Sequence, residues 1–230
     1  MKTIGLIGGI TWHSTIDYYR FLNEAVNKTL GGSHAAKIIL NSLDFAEIKI
    51  LTEQQDWEGI AVIMCKAAKM VEAAGADCIM LGANTMHNIA DKVIAAINIP
   101  VIHIADAVAE AIKLKKLNTV ALLGTKYTMQ MDFYKDKLAS HGISTIIPAE
   151  ADIEFINATI YKEFSKGIFL PETKKQYLHI IDKLISQGAE GVIFGCTEIP
   201  ILIKQSDCTV PVFDTTFIHS MAAVDFALRD

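Results

Sequence analysis

Short apolar runs alternate with longer amphipathic segments along the whole chain. The apolar runs have the length and composition of strands that are buried on both faces, as in a parallel sheet. They predict strands at Thr3–Gly8, Lys37–Asn41, Asp77–Leu81, Val101–Ile104, Thr119–Leu123, Ser144–Ile147, Gly191–Gly195 and Val210–Phe213.

The segments between these strands carry the 3.6-residue period of helices, most clearly from Ile60 to Ala74. They predict helices at His13–Leu30, around Ile60–Ala74, at Met86–Ile97, from Asp106, at Met129–Ser140, at Asp152–Ser165, from Pro171 to Gly188, and from Thr215. Ser14 or Thr15 is predicted to cap the first helix. The regular alternation indicates an α/β protein with parallel sheets covered on both faces by helices.

Three motifs of the first half recur in the same order in the second half. The matching pairs are Ile4–Gly9 with Val120–Thr125, Ile79–Thr85 with Val192–Glu198, and Ile99–Ile102 with Val210–Phe213, offset by 111 to 116 residues. This repeat predicts two pseudo-symmetric α/β subdomains that face a central cleft. Their expected ranges are residues 1–104, completed by the C-terminal helix 215–230, and residues 105–214. Ala83 and Cys196 are expected on opposite sides of the cleft.

The composition is that of an ordinary globular protein, with 51% hydrophobic and 20% charged residues and a net charge of -5. Lysine supplies 19 of the 21 basic residues and forms no cluster, so a nucleic-acid partner is not expected. No apolar run reaches membrane-spanning length, and the first strand starts too early for a signal peptide. We therefore expect a cytoplasmic protein without a membrane partner.

One of the four cysteines is a candidate for chemistry. Cys65, Cys78, Cys196 and Cys208 include no C-x-x-C pair and no metal-ligand spacing, which indicates free thiols and no metal site. Cys196 follows a predicted strand just where a helix begins. The backbone N–H groups at such a junction favour a thiolate and can bind a carboxylate. The alternative is a buried structural cysteine, which is our interpretation of the other three.

Equivalent positions in two halves suit a reaction that moves a proton on both faces of a carbon atom. Inversion of that carbon requires one group to remove the proton and a second group to deliver one to the opposite face. Thiols can do both, so one cysteine is expected in each half. The first half instead has Ala83, which has no proton to give.

Polar residues follow Ala83 in the first half. Asn84 and Thr85 can hold a carboxylate or amino group of a substrate, or cap the next helix, and the two roles are compatible. His87 is interpreted as a helix-face histidine bonded to a carbonyl rather than as a catalyst. In the second half, Lys166 is a candidate partner for a substrate carboxylate, although a solvated surface lysine is the commoner role.

The loop Gly8–Thr15 has glycines that allow its backbone to approach a small anion. It has neither the G-x-G-x-x-G spacing of dinucleotide sites nor a P-loop, so nucleotide binding is only weakly supported. Glu198 is expected to add negative charge to the first turn of a helix.

These residues resemble the aspartate/glutamate racemase family over nearly the whole chain. The resemblance is carried by Ile4–Gly9 with Trp12 and Ser14-Thr15, by Asn84–His87, and by Gly195–Glu198. It implies racemisation of an acidic amino acid without pyridoxal phosphate or metal, in a cleft between two subdomains, commonly in a homodimer. It also implies that the residue before Asn84 and Cys196 are the two proton carriers, and that the substrate is contacted by Thr11, Trp12, Asn84, Thr85 and Thr197.

Two positions depart from the family pattern. Ala83 stands where most members have cysteine and some have threonine. Three explanations stay open: a substitution engineered to trap a substrate, one thiol assisted by water, His87 or Thr85, or a different reaction, since related one-cysteine enzymes decarboxylate malonates. In the region where some relatives have an arginine for the substrate carboxylates, this chain has Ile48-Lys49, and Lys166 lies close to the other expected place.

The leading interpretation is a racemase of aspartate or glutamate with Cys196 as an acid–base thiol. Because one of two proton carriers is missing, racemisation is expected to be slower by several orders of magnitude. One alternative is a one-thiol decarboxylase or isomerase of small dicarboxylates. Another is an inactive paralogue that binds an acidic amino acid.

Overall fold

A computed structural model describes residues 1–229, so Asp230, the last residue of the predicted C-terminal helix, lies outside the described residues. The strands are β1 Ile4–Gly8, β2 Ile38–Ser42, β3 Cys78–Leu81, β4 Val101–Ile102, β5 Thr119–Gly124, β6 Ser144–Ile146, β7 Val192–Gly195 and β8 Val212–Asp214. The helices are α1 Trp12–Leu30, α2 Phe45–Glu53, α3 Trp57–Ala73, α4 Ala90–Ala96, α5 Ile104–Leu114, α6 Lys126–Gln130, α7 Asp132–Ser140, α8 Glu150–Lys162, α9 Pro171–Ser186, α10 Ile199–Leu202 and α11 Thr215–Leu228. Short 3-10 helices lie at Thr85–Ile89, Phe164–Lys166 and Gln205–Asp207.

The chain forms two compact units. The first contains Met1–Ile104 and the chain from Thr216 onward, and the second contains Ala105–Thr215. The first unit has a four-stranded sheet in the order β2-β1-β3-β4, and the second has one in the order β6-β5-β7-β8. All the strand pairs are parallel. The predicted fold class, α/β with two similar parallel sheets, is confirmed.

The register of the two sheets agrees with the sequence repeat. In the first sheet Ile7 of β1 pairs with Leu81 of β3. In the second sheet Leu123 of β5 pairs with Phe194 of β7. In the sequence repeat, Ile7 corresponds to Leu123 and Leu81 corresponds to Phe194. The repeated motifs therefore end at equivalent points of their sheets.

The first sheet is covered on both faces by apolar side chains. Ile4 and Leu6 of β1 pack with α1 and with Ala223, Val224 and Ala227 of α11. Ile7 points to the opposite face, where it packs with α3. Because neighbouring strand residues point to opposite faces, both kinds of position are apolar in a sheet covered on both sides. Within the described residues, no helix is both long enough and apolar enough to cross a membrane.

Helix α2 was not predicted. The Asp44 side chain caps it by accepting the Ala46 N–H at 3.0 Å. Its buried positions are Ile48 and Thr52 alone, four residues apart, so they cover a single turn. One turn is too short for a helical period to stand out in the sequence.

Two helices were predicted as continuous and are divided. The predicted helix Met86–Ile97 begins as the 3-10 turn Thr85–Ile89 and becomes α-helical only in α4. The predicted helix Met129–Ser140 is split into α6 and α7 by Met131, whose backbone is extended. The apolar pattern runs through both breaks, so it does not reveal them.

The predicted cap of the first helix is wrong. Helix α1 begins at Trp12, after Thr11. Ser14 and Thr15 lie inside the helix, and their hydroxyls donate to the Thr11 carbonyl at 2.8 and 3.0 Å. Thr15 Oγ1 also accepts the Gly9 N–H at 2.8 Å. These hydroxyls therefore hold the preceding loop rather than the first helical N–H groups.

Candidate functional site

Ala83 and Cys196 occupy equivalent places in their own units. Ala83 lies two residues after Leu81, the β3 residue that pairs with Ile7. Cys196 lies two residues after Phe194, the β7 residue that pairs with Leu123. Both are buried, with exposures of 9% and 7%. The carboxyl ends of parallel strands are where α/β proteins bind ligands, so each unit brings one of these positions to the expected edge of its sheet.

The sulfur of Cys196 lies between a carboxylate and backbone amides. Cys196 Sγ donates to Oε2 of Glu198 at 3.1 Å. Backbone hydrogen bonds from Glu198 and Ile199 act on the same sulfur, because α10 begins at Ile199. The predicted position of Cys196 at a strand-to-helix junction is thus observed. Its sulfur accepts backbone N–H groups, and its S–H donates to a carboxylate.

The backbone N–H groups beside Cys196 favour a thiolate, as predicted, but two other features of the site oppose ionisation. Burial raises the pKa of Cys196 well above its usual value, and the Glu198 carboxylate raises it further. The two backbone hydrogen bonds act in the opposite direction and do not offset these effects. Burial in a low-dielectric place and a like charge both disfavour the ionised form. The net effect on the pKa is upward, in agreement with the hydrogen bond that Cys196 Sγ donates to Glu198.

Glu198 belongs to this site and was not predicted to. It is buried, with 5% exposure, and accepts both the Cys196 thiol and, at 2.6 Å, the Thr197 hydroxyl. It occupies the cap position of α10 rather than adding charge to its first turn. The signal in the sequence was the carboxylate two residues after the cysteine, a spacing that lets the side chain turn back to the sulfur.

A buried tyrosine of the second unit interacts electrostatically with Cys196. Tyr177 of α9 shares a hydrogen bond of 2.9 Å with Thr159 of α8. Burial raises the pKa of Tyr177 well above its usual value, with smaller contributions from Cys196, Glu163 and Glu198. Neither Tyr177 nor Thr159 was a predicted site residue, because each belongs to the apolar face of a helix.

In the first unit, His87 holds the backbone around Ala83. His87 Nδ1 lies 3.1 Å from the Ala83 carbonyl oxygen, and the Ile104 N–H donates to His87 Nε2 at 3.2 Å. The donor must then be Nδ1–H, and the ring is neutral. Burial lowers the pKa of His87 well below its usual value, and His103 and His219 lower it further. The interpretation of His87 as a histidine bonded to a carbonyl agrees with these contacts.

Asn84 and Thr85 follow Ala83 directly and are both buried. Asn84 lies at the start of the 3-10 turn, but its side chain makes no capping hydrogen bond there. The capping role that the sequence allowed for Asn84 is therefore absent. Their predicted role as substrate contacts stays a prediction.

The loop after β1 is shaped by Gly9, whose φ of 85° lies in the left-handed region. A Cβ at Gly9 would lie 2.1 Å from the Leu43 carbonyl oxygen, so only glycine fits. Thr11 is half-buried, and Trp12 is 59% exposed and stacks on His13 with ring centroids 3.7 Å apart. The loop therefore presents an exposed aromatic side chain beside a tightly packed backbone.

The two lysine positions considered for substrate carboxylates are at the surface. Lys166 is exposed and lies in the 3-10 turn that Gly167 ends. Lys49 lies on α2, where its ammonium is 3.7 Å from Glu53. Among the described residues, no group of three or more His, Cys, Asp or Glu side chains is arranged to hold a metal ion.

The model of one protein family matches nearly the whole chain. Residues 7–223 match the Asp/Glu/Hydantoin racemase family, and the chain belongs to that family. The predicted resemblance is confirmed, and so is the enzyme class, since the family and its structural neighbours are amino-acid racemases.

Relatives agree with this assignment over full-length alignments. A candidate Asp/Glu racemase of Yersinia pestis is 48% identical, with a TM-score of 0.93 and 100% of both chains covered. An aspartate racemase homologue from Pyrococcus horikoshii OT3 is 38% identical, with a TM-score of 0.87 and the same coverage. The broad specificity amino-acid racemase RacX of Bacillus subtilis (strain 168) is 22% identical over 93% of this chain and 92% of the relative.

Proposed function

We propose that this chain moves a proton at the α-carbon of an acidic amino acid, with Cys196 as its acid–base thiol and no cofactor. The observation that carries the proposal is the placement of the Cys196 sulfur, buried at the end of β7 between backbone donors and a carboxylate. The acidic substrate is inferred from relatives described as racemases of aspartate and glutamate, or as homologues of them.

The proposed substrate contacts are the predicted ones. Asn84, Thr85 and Thr197 are buried polar residues at strand ends, where hydroxyls and amides can bind a carboxylate or an amino group. Thr11, Trp12 and Lys166 complete the proposed set. Backbone amides near Cys196 would stabilise the enolate-like state that forms when the α-proton leaves. A homodimer in the cytoplasm is the proposed state of the protein.

The reaction is expected to occur mainly on one face of the substrate. Cys196 takes the α-proton and returns a proton to the same face, which exchanges the proton without inversion. Inversion needs a proton on the opposite face, and Ala83 has none to deliver. A single acid or base contributes about 10²- to 10⁴-fold to a rate, so inversion should be slower than exchange by about that factor.

Proton exchange in D₂O tests this proposal. L-aspartate, D-aspartate and L-glutamate are incubated with the chain, with Ala83→Cys and with Cys196→Ala, and deuterium uptake and chirality are measured together. We expect uptake with retention in the chain, inversion faster by about 10²-fold or more in Ala83→Cys, and neither in Cys196→Ala. Binding of these amino acids without any exchange, in the chain and in Ala83→Cys, would show a binding protein instead.

Decarboxylation is a second candidate function because Cys196 Sγ is placed as a hydrogen-bond donor and the equivalent position of the first unit is Ala83. A neutral thiol can protonate a carbanion directly, and a one-sided protonation needs no partner at Ala83. A substituted malonate in the same D₂O assay distinguishes the two. Loss of CO₂ with deuterium placed on one face, and no exchange with amino acids, would favour this function.

A further inference from the structure

Three histidine rings of the first unit lie in edge contact. The ring centroid of His87 is 4.6 Å from that of His103 and 5.6 Å from that of His219. His219 in turn shares a hydrogen bond of 3.0 Å with Tyr18. His87 and His219 are buried. The 3-10 turn after Ala83, the end of β4 and the helices α1 and α11 therefore meet in one cluster of titratable side chains.

His87 joins two parts of the backbone of this unit. Its Nδ1–H donates to the Ala83 carbonyl at 3.1 Å, and its Nε2 accepts the Ile104 N–H at 3.2 Å. Asn84 and Thr85 follow Ala83 directly, and Ile104 is the residue after which the chain passes into the second unit. A neutral imidazole has one donor and one acceptor, so both contacts together require a neutral ring.

We propose that His87 is an acid-sensitive latch, which holds the segment Ala83–Thr85 to Ile104 while its ring is neutral and releases it when the ring is protonated. A protonated ring has two N–H donors and no acceptor, so the Ile104 N–H would face another N–H group. The effect of release on a substrate rests on the proposed function, in which Asn84 and Thr85 contact it. The latch itself is a property of the chain without substrate.

The surroundings of His87 oppose a charged ring. Burial lowers the pKa of His87 well below its usual value, and His103 and His219 lower it further, while the backbone contacts with Ala83 and Asn84 act in the opposite direction. The acidic residues that follow in the sequence are exposed, as Asp91 is, or paired with side chains at the end of α7, as Asp106 is. The held ring therefore resists a proton that a released ring would bind.

This difference sets the direction of the pH effect. A released His87 is in water and binds a proton with a pKa of about 6.5. Above that pH both the held and the released ring are neutral, and the latch has its full stability. Below it, each further pH unit makes release about tenfold more frequent, until the lowered pKa of the held ring is reached. His219 differs, because the Tyr18 oxygen can accept a hydrogen bond as well as donate one, so protonation of His219 leaves its partners in place.

The second unit uses a hydroxyl at the equivalent place. In the sequence repeat, Pro200 corresponds to His87 and Thr215 corresponds to Ile104. The Thr215 hydroxyl donates to the Phe194 carbonyl at 2.9 Å. A hydroxyl keeps its charge between pH 5 and pH 7, so acid acts on the segment after β3 and not through this contact after β7.

Amide hydrogen exchange, measured residue by residue by NMR without ligand, tests the latch. The protection of the Ile104 amide, corrected for its intrinsic exchange rate, should fall about tenfold between pH 6 and pH 5. It should also be lower at each pH than the protection of the Ile79 amide, which donates to the Pro100 carbonyl within the sheet. Equal protection of the two amides with equal pH dependence would mean that they open together by unfolding, and would overturn the latch.

Two variants identify the histidine that is responsible. His87→Gln offers a donor and an acceptor and does not titrate, so its Ile104 protection should be constant between pH 6 and pH 5, and His87→Asn is a second variant of the same kind. His219→Gln is the matched control, because it removes a buried histidine of the same cluster, and it should keep the tenfold dependence. Near-ultraviolet circular dichroism verifies that each variant folds. An unchanged pH dependence in both His87 variants, or its loss in His219→Gln, would overturn the latch.

L-aspartate separates the latch from the proposed function. At about a hundred times its dissociation constant it should slow exchange of the Ile104 amide about hundredfold, because a ligand that binds only the held form stabilises that form. If L-aspartate has no effect while the pH dependence and its loss in His87→Gln are observed, the substrate contacts of Asn84 and Thr85 are overturned and the latch is established.

Discussion

His87 Nδ1 lies 3.1 Å from the carbonyl oxygen of Ala83, which stands where the family resemblance predicts the first proton carrier. The other ring nitrogen accepts the Ile104 N–H, so both nitrogens of His87 are engaged by the backbone. A histidine held in this way keeps the chain after β3 in place and has no nitrogen left to transfer a proton. This contact argues against one of the explanations for Ala83, in which His87 serves the second face of the substrate.

Replacing His87 with Ala should therefore affect stability rather than proton transfer. The Ile104 N–H and the Ala83 carbonyl would lose a buried partner, which costs about 2–4 kcal/mol together with the cavity. Urea unfolding measures this loss, and His34→Ala, at an exposed position, should change stability by less than about 0.5 kcal/mol. A drop of about 10²-fold in deuterium exchange per folded molecule would instead assign His87 to catalysis.

The buried histidines also predict acid sensitivity. His219 accepts the Tyr18 hydroxyl at Nδ1 and donates through Nε2 to the Ile102 carbonyl, so it is neutral in the fold. Burial lowers the pKa of His219 from 6.5 to about 4. Between these two values the unfolded chain binds a proton that the folded chain does not. The fold is thus fully stable with respect to this group above pH 6.5 and loses stability as the pH falls towards 4.

The loss assigned to His219 is about 2–3 kcal/mol between pH 7 and pH 4.5, by linkage from its lowered pKa. His219→Gln keeps an acceptor for Tyr18 and a donor for Ile102 and does not titrate. The free energy of unfolding is measured in urea at both pH values. Its decrease from pH 7 to pH 4.5 should be smaller in the variant than in the unchanged chain, by about 2–3 kcal/mol. Equal losses in the two proteins would show that His219 does not resist protonation in the fold.

The two parallel sheets were predictable because each strand is a short apolar run and because the repeat gives two equal sets of them. Such a pattern records which positions are buried, and the apolar or polar character of each residue indicates this directly. The place of Cys196 at a strand end was predictable for the same reason, since the strand before it is a short apolar run, and its role stays a prediction.

The electrostatics of the site was not predictable, because it depends on where side chains turn. Burial raises the pKa of the Cys196 thiol, and Glu198, which bends back to the sulfur, raises it further, whereas the backbone N–H groups considered from the sequence lower it. Tyr177 and Thr159 lie on two different helices, α9 and α8, and meet through packing, so no local pattern reveals their contact. The 3-10 start of the helix after Asn84 is likewise set by packing, since its apolar spacing is that of an ordinary helix.

Gly9 gives a prediction that separates steric contact from backbone conformation. Gly9 and Gly31 both have positive φ, 85° and 73°. A Cβ at Gly9 would lie 2.1 Å from the Leu43 carbonyl oxygen, whereas nothing lies within 4 Å of a Cβ at Gly31. Gly31→Ala should cost about 1–3 kcal/mol from conformation alone, because its φ of 73° and ψ of -171° are essentially restricted to glycine, and Gly9→Ala at least about 2 kcal/mol more from the clash. Equal shifts in urea unfolding would mean that the loop after β1 relaxes freely.

The four cysteines should differ in reactivity in the order set by burial and charge. Cys65 and Cys208 are half-buried, and burial raises the pKa of each thiol. Cys78 is fully buried and its pKa is raised to about 11, while Cys196 is buried beside Glu198 and its pKa is raised well above the usual value. Since the thiolate is the reactive form, a short iodoacetamide pulse at pH 8 should label Cys65 and Cys208 first.

Peptide mapping by mass spectrometry measures this order, and labelling of Cys196 should be about tenfold slower or more than that of Cys65. Denaturant provides the control, because unfolding removes the burial and should bring all four rates close together. Preferential labelling of Cys196 in the folded chain would mean that the amides of Glu198 and Ile199 outweigh the carboxylate, and that the sulfur is an activated thiolate.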